Sequence, residues 1–134
     1  MKTVWVDTNI VLRFFTEKPR EQYERAAALM QRAANGELVV HVTPIVIAEV
    51  AAVLHHSFDI PLREIAETLQ KLLMARGVAA EDGANVLEAL EQSGRLGIDF
   101  VDTYLLICAR QAGAEVASFD TDFPKRLGVA SFSI

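Results

Sequence analysis

The hydrophobic pattern changes period several times along the chain, and each change predicts an element. Residues 3–6, Thr3-Val4-Trp5-Val6, are an unbroken run of strand-formers, which predicts a short strand buried on both faces and central in a parallel sheet. A polar trio, Asp7-Thr8-Asn9, follows, with Thr8 or Asn9 placed to cap a helix over Ile10-Val11-Leu12-Arg13-Phe14-Phe15. A second helix opens at Pro19-Arg20-Glu21, carries Tyr23, Ala26, Ala27, Leu29 and Met30 at helical spacing, and stops at Asn35-Gly36. Residues 38–42 read as the second strand. Thr43-Pro44 then supplies a hydroxyl cap and a proline for the first helical position. The helix that follows is apolar all round as far as Leu54 except at Glu49, so it is central to the fold or lies at an interface.

The second half is more strongly amphipathic. Pro61 opens a helix that buries Leu62, Ile65, Leu69, Leu72 and Leu73 and stops at Gly77. Glu81-Asp82 begin another, with Val86, Leu87 and Leu90 inside, ending at Ser93-Gly94. A last helix begins at Asp99 and closes at Gly113. Residues 115–119 read as a strand running into Asp120-Thr121-Asp122, and residues 129–134 as a tail strand. Strands alternating with helices or helix pairs predict one domain over 1–134. Its class is α/β, a three-layer α/β/α arrangement around a central, mainly parallel sheet.

Composition narrows this only a little. With 134 residues, 51% of them hydrophobic, the chain has enough apolar side chains for a core and a surplus for a partner. A net charge of −5 disfavours a charge-driven nucleic-acid binder. The lone Cys108, embedded in Leu105-Leu106-Ile107, reads as a buried, inert thiol. The first apolar run is interrupted at Asp7 and Asn9, too short for a signal peptide, so a cytoplasmic location is expected. Residues 38–58 hold one charge, Glu49, but Thr43-Pro44 divides them and three histidines add cost, so no membrane span is expected.

Four acids stand where a structural acid is unusual. Asp7 and Asp120 follow short apolar strands, at the carboxyl edge where open α/β sheets bind ligands. Glu49 interrupts an apolar helix, and Asp102 lies on another with Asp99 three residues earlier on the same face. No Lys or Arg in 38–58 or 97–109 is available to pair with them locally, and a divalent cation with hard oxygen ligands, Mg²⁺ or Mn²⁺, is the economical partner. Simpler roles exist for some of them. Asp7 and Asn9 fit a turn and cap, Asp99 a helix N-cap, Asp122 a turn, and Glu49 an ion pair with a distant Arg. His55-His56 reads as an exposed helix end.

The order Val6-Asp7-Thr8-Asn9, Glu49, Phe100-Val101-Asp102 and Ser118-Phe119-Asp120-Thr121-Asp122-Phe123 resembles the PIN domain. In particular it resembles the VapC-type toxins of bacterial toxin–antitoxin pairs, over essentially the whole chain. The resemblance implies a Mg²⁺- or Mn²⁺-dependent ribonuclease with an RNA substrate, a cognate antitoxin protein as partner, and a homodimer. It matches Asp7, Glu49 and Asp102 to the acidic triad and Asp120 to the fourth acid. Thr8, Asn9, Asp99 and Asp122 take supporting positions, and the choice between Asp120 and Asp122 as fourth acid stays open. Metal-bound water would be the nucleophile. Arg13, Lys18, Arg20, Lys125 and Arg126 are candidates for a cationic rim. The antitoxin is expected near Phe14, Phe15 and Tyr23.

Three other readings compete. A haloacid-dehalogenase-type phosphatase also uses a first-strand Asp and Mg²⁺, but wants a second Asp where Asn9 stands and a Lys before the late acids. A receiver-like signalling module needs adjacent acids after the first strand, and Val6-Asp7-Thr8 offers one. A PIN-like binding module without activity would keep the fold and not need the acids.

Overall fold

The computed structural model describes residues 1–134. Its core is a three-stranded parallel sheet in the order β1-β2-β3, formed by β1 (Lys2–Trp5), β2 (Leu38–Val42) and β3 (Val78–Ala80). The strands are joined by helices α1 (Thr8–Thr16) and α2 (Arg20–Ala34), then by α3 (Pro44–Phe58) and α4 (Leu62–Leu73). Helices α5 (Gly83–Leu96) and α6 (Phe100–Gln111) follow, and a short 3₁₀ turn spans Pro124–Leu127. Helices around a small parallel sheet agree with the expected three-layer α/β/α class. Alternate residues of β2, namely Leu38, Val40 and Val42, are buried in one core that also takes Val50 and Leu54 of α3, Leu69 of α4, Leu90 of α5 and Leu106 of α6.

β1 is not central. One edge pairs with β2, Val4 opposite Val40 and Trp5 opposite His41, and no backbone hydrogen bond leaves its other edge. Val6 is buried, whereas Trp5 is 64% exposed. An unbroken apolar run therefore did not mean burial on both faces. One face and one edge of the strand have no cover.

The expected strands over 115–119 and 129–134 do not form either. They meet at a single parallel bridge, Val116 with Ser131, in which the Val116 N–H donates to Ala130 O (2.9 Å) and the Phe132 N–H to Val116 O (2.8 Å). Only Val116 in the first segment is buried, and Phe119 is 98% exposed. A ladder needs a second partner on the other side, and β1 makes no hydrogen bond to this segment.

Helix boundaries shift for local reasons. Thr43 Oγ1 accepts from the Val46 N–H (3.3 Å) and Pro44 is the first helical residue, as the sequence indicates, but α3 continues to Phe58. α3 buries only one face, leaving Ile45 and Glu49 exposed. Gly77 does not terminate α4, which ends at Leu73. It immediately precedes β3 at φ +83°, where a Cβ would stand 2.3 Å from the Ala33 carbonyl oxygen at the end of α2. Gly94 does not end α5; a Cβ there would meet Ala66 of α4 at 3.0 Å, so its role is close helix packing.

Candidate active site

Asp7 follows β1 one residue after its end, in an extended conformation, and its Oδ1 accepts from the Ile10 N–H at 3.1 Å. The cap of α1 is thus Asp7, not Thr8 or Asn9. Asp7, Asn9, Ile10, Arg13, Gln22 and Arg25 line an open depression of about 360 Å³. The Arg13 guanidinium donates to the backbone carbonyls of Asn9 and Lys18, which leaves its positive charge without a carboxylate partner. Arg25 has Glu21 at 3.4 Å, an exposed pair that neutralises little. Thr8 opens α1 and lines neither this depression nor the next.

A second open depression, about 330 Å³, is lined by Gly97, Ile98, Asp99, Asp102, Asp120, Asp122, Phe123 and Arg126. Asp99 and Asp102 come from the start of α6, where the helix dipole favours negative charge. Asp99 makes no capping bond with its side chain and instead has Oδ2 3.5 Å from His56 Nε2. Asp120 is placed by its own turn: its N–H donates to Ser118 Oγ and its Oδ1 accepts from the Asp122 N–H, each at 3.1 Å. Arg126 is held against the end of α5, donating to Leu96 O at 3.1 Å. Lys125 reaches Asp122 at 4.0 Å.

Asp99 and Asp102 also line a smaller apolar cleft of about 80 Å³ with Ala48, Ala51, Ala52, His56 and Leu62, which joins the acid mouth to α3. Glu49 lies on α3 beside this cleft, exposed, and lines neither depression. It makes no ion pair. At the far side of α6, the Tyr104 hydroxyl donates to Asp82 Oδ2 at 2.5 Å, tying this helix to the start of α5. Partial burial, then the Asp82 carboxylate and the Cys108 thiol, push the Tyr104 phenol well above its ordinary value. Cys108 is itself half-exposed, not buried as expected.

The acids therefore stand at two stations. Asp99, Asp102, Asp120 and Asp122 line one depression, Asp7 lines the other beside the amide of Asn9, and Glu49 lines neither. An all-oxygen donor set of this kind suits Mg²⁺ or Mn²⁺. No group of three or more His, Cys, Asp or Glu side chains is arranged to hold a metal ion, so the donor chemistry fits while the set is not closed. Of the expected cationic rim, Arg13 and Arg126 line the depressions, and Lys18, Arg20 and Lys125 do not. Gln22 and Arg25 were not anticipated, because α2 surface residues carry no motif.

No helix is long and apolar enough to cross a membrane. A family model described as PIN domain matches residues 4–127. No curated protein matches, and no solved structure does.

Proposed function

The chain belongs to the PIN domain family, whose members are generally nucleases, and from that premise we propose that it is a divalent-metal-dependent endoribonuclease and the toxin of a toxin–antitoxin pair. Membership disposes of the phosphatase and receiver readings. The observation that carries the proposal is the mouth where Asp99 and Asp102 of α6 meet Asp120 and Asp122, brought together from distant parts of the chain with Arg126 at the rim. Four carboxylates that line one open depression are the hard oxygen donors a divalent cation would need.

Asp102 and Asp120 would hold Mg²⁺ or Mn²⁺, with Asp7 and Glu49 as the remaining acids of the set and Asp99 and Asp122 in support. When bound, such an ion would lower the pKa of a water and offset charge on the phosphodiester. The chain's own groups do the rest. Arg126, fixed by the Leu96 carbonyl, offers its free N–H groups to a backbone phosphate. Arg13 offers a second phosphate contact beside Asp7.

Partners follow from apolar surface. Ile45 of α3 and Val101 and Leu105 of α6 are exposed on two helices that touch, which supports a homodimer through this face. Phe15, Phe58 and Ile60, with Arg13, Thr16 and Lys18, line a depression of about 380 Å³, which supports an antitoxin segment carrying apolar and acidic residues. This lies at the end of α1, close to the region expected around Phe14 and Phe15.

The test is cleavage of single-stranded RNA with Mg²⁺ or Mn²⁺ and with EDTA. Cleavage only with metal is expected, and cleavage that persists in EDTA would overturn the metal chemistry. Expression alone is expected to arrest growth, with relief on co-expression of the protein from an adjacent small reading frame. A second reading, a binding module without activity, is favoured by the unclosed ligand set. It requires RNA binding without cleavage under every metal tried.

A further inference from the structure

Trp5 is placed as no core residue is. It ends β1 with its side chain largely in solvent, yet the indole is not loose. The parallel register puts it beside His41, and the two rings stack with centroids 3.9 Å apart and planes at 25°. His41 is mostly buried, its Nε2 3.7 Å from Glu81 Oε1 and without a hydrogen bond. One face of the indole is thus backed by a fixed ring, and the opposite face is available.

Its position matters as much as its exposure. Trp5 and Asp7 flank buried Val6, and Asp7 continues the extended backbone (φ −92°, ψ 176°), so both side chains leave the strand on the same side. Asp7 in turn lines the depression where Arg13 lacks a carboxylate partner and Arg25 forms the wall, which puts the indole two residues along the chain from that depression. An exposed, backed aromatic face two residues from a site with an unpaired guanidinium offers what unpaired nucleotides need: a surface for the base and a cation for the phosphate. Neither feature serves the core, which excludes both.

We infer that Trp5 is a stacking platform for an unpaired base of the RNA substrate, with Arg13 taking the adjacent phosphate. This rests on the ribonuclease reading and adds to it a residue that positions substrate outside the acidic set. It favours single strands over duplex, whose bases have no free face.

Trp5 is the only tryptophan, so its emission reports this site alone. The probe is a single-stranded hexanucleotide with cleavage-resistant 2′-O-methyl sugars, its binding followed independently by anisotropy. An abasic oligomer of the same charge and a duplex are the controls. Saturation with the hexanucleotide is expected to quench the emission, and the abasic oligomer to bind more weakly and leave it unchanged. Trp5→Leu, which keeps apolar contact with His41, should weaken binding roughly ten- to hundredfold, and Trp5→Phe only a few-fold. In cleavage, KM should rise for Trp5→Leu with kcat held.

Unchanged emission at saturation, or wild-type affinity in Trp5→Leu, overturns the inference. If RNA is cut normally while the indole stays silent, stacking falls and the nuclease reading stands. If no RNA binds by anisotropy, both fall. If emission shifts with protein concentration and not with RNA, the ring covers a second copy and stacking falls.

Discussion

Asp7 and Asp120 carry the same sequence signal, an apolar run ending in an acid, and the molecule treats them differently. Asp7 follows a strand with a ladder partner, and α1 begins at once, so its carboxylate is fixed as a cap. Asp120 follows a segment held by one bridge, and a local turn positions its carboxylate instead. Their surroundings diverge as well. Arg13 and Arg25 stand around Asp7, while three other carboxylates share a depression with Asp120, where Arg126 lines the wall and Lys125 reaches Asp122. The signal locates an acid at a strand's carboxyl end, but whether two such acids meet depends on the ladder between their strands. Here that ladder is absent.

Charge removal at each station tests whether the two act as one. Asp102→Asn keeps shape and deletes one of four crowded charges. It is expected to lower RNA cleavage at least about a hundredfold, as loss of a group stabilising transition-state charge does. The melting temperature should hold or rise, because like-charge repulsion is relieved. Asp7→Asn, which can still cap α1, is expected to cost a comparable loss of cleavage. Parallel rate assays and melts decide the matter. If Asp7→Asn leaves cleavage intact per folded molecule, Asp7 is a cap only and the acid mouth works alone.

A second pair compares the laddered part of the chain with the bridged part through two glycines of positive φ. Gly77 (φ +83°) leads into β3 against the Ala33 carbonyl, and Gly128 (φ +71°) has open space where a Cβ would go. Gly77→Ala combines left-handed strain with a backbone collision, and a loss above about 3 kcal/mol is expected. Gly128→Ala meets only the strain, about 1–2 kcal/mol. Urea unfolding measures both. Equal losses would mean that β3 shifts away from α2 easily and that the ladder is less rigid than it looks.

The same contrast explains what the sequence could reveal. β2 is legible to the residue, because Leu38, Val40 and Val42 alternate inward and Thr43-Pro44 announce the next helix. β3 is not, since Val78-Ala79-Ala80 is three residues long and becomes a strand only through pairing with β2. Gly77 and Gly94 read as helix stops, whereas one admits a neighbouring backbone and the other a neighbouring helix. Asp99 and Asp102 share a helix turn, so their proximity follows from spacing, and Asp120 with Asp122 follows from the turn. That the two pairs line one depression while Asp7 lines another depends on long-range packing no motif encodes. Trp5 shows the same limit: a tryptophan in an apolar strand reads as core until its covering layer proves to be absent.

The Asp7 cap offers a smaller, purely structural measure. Asp7→Ala removes the acceptor for the Ile10 N–H and should lower stability by about 0.5–2 kcal/mol. Asp7→Asn keeps an acceptor and should cost only a few tenths. Chemical denaturation at neutral pH reads both. An Asn variant as damaging as the Ala variant would show that the charge of Asp7, through Arg13 or Arg25, matters more to the fold than its cap.

The smallest effect concerns how the acid-bearing helix is anchored. Tyr104 lies on α6 two residues after Asp102 and donates to Asp82 at the start of α5. Partial burial and that carboxylate both disfavour the phenolate, so the native phenol keeps its proton above its ordinary value of 10.0. In the unfolded chain Tyr104 ionises near that ordinary value. As the pH rises past about 10, the unfolded state therefore binds fewer protons than the native state, and stability must fall. Tyr104→Phe should remove this part of the alkaline slope. At neutral pH it should cost about 1 kcal/mol for the lost hydrogen bond. Urea midpoints of wild type and variant between pH 8 and 11 isolate the difference from other alkaline titrations. Parallel curves would mean that the phenol is no harder to ionise in the native state, and that α6 holds Asp102 in place without this contact.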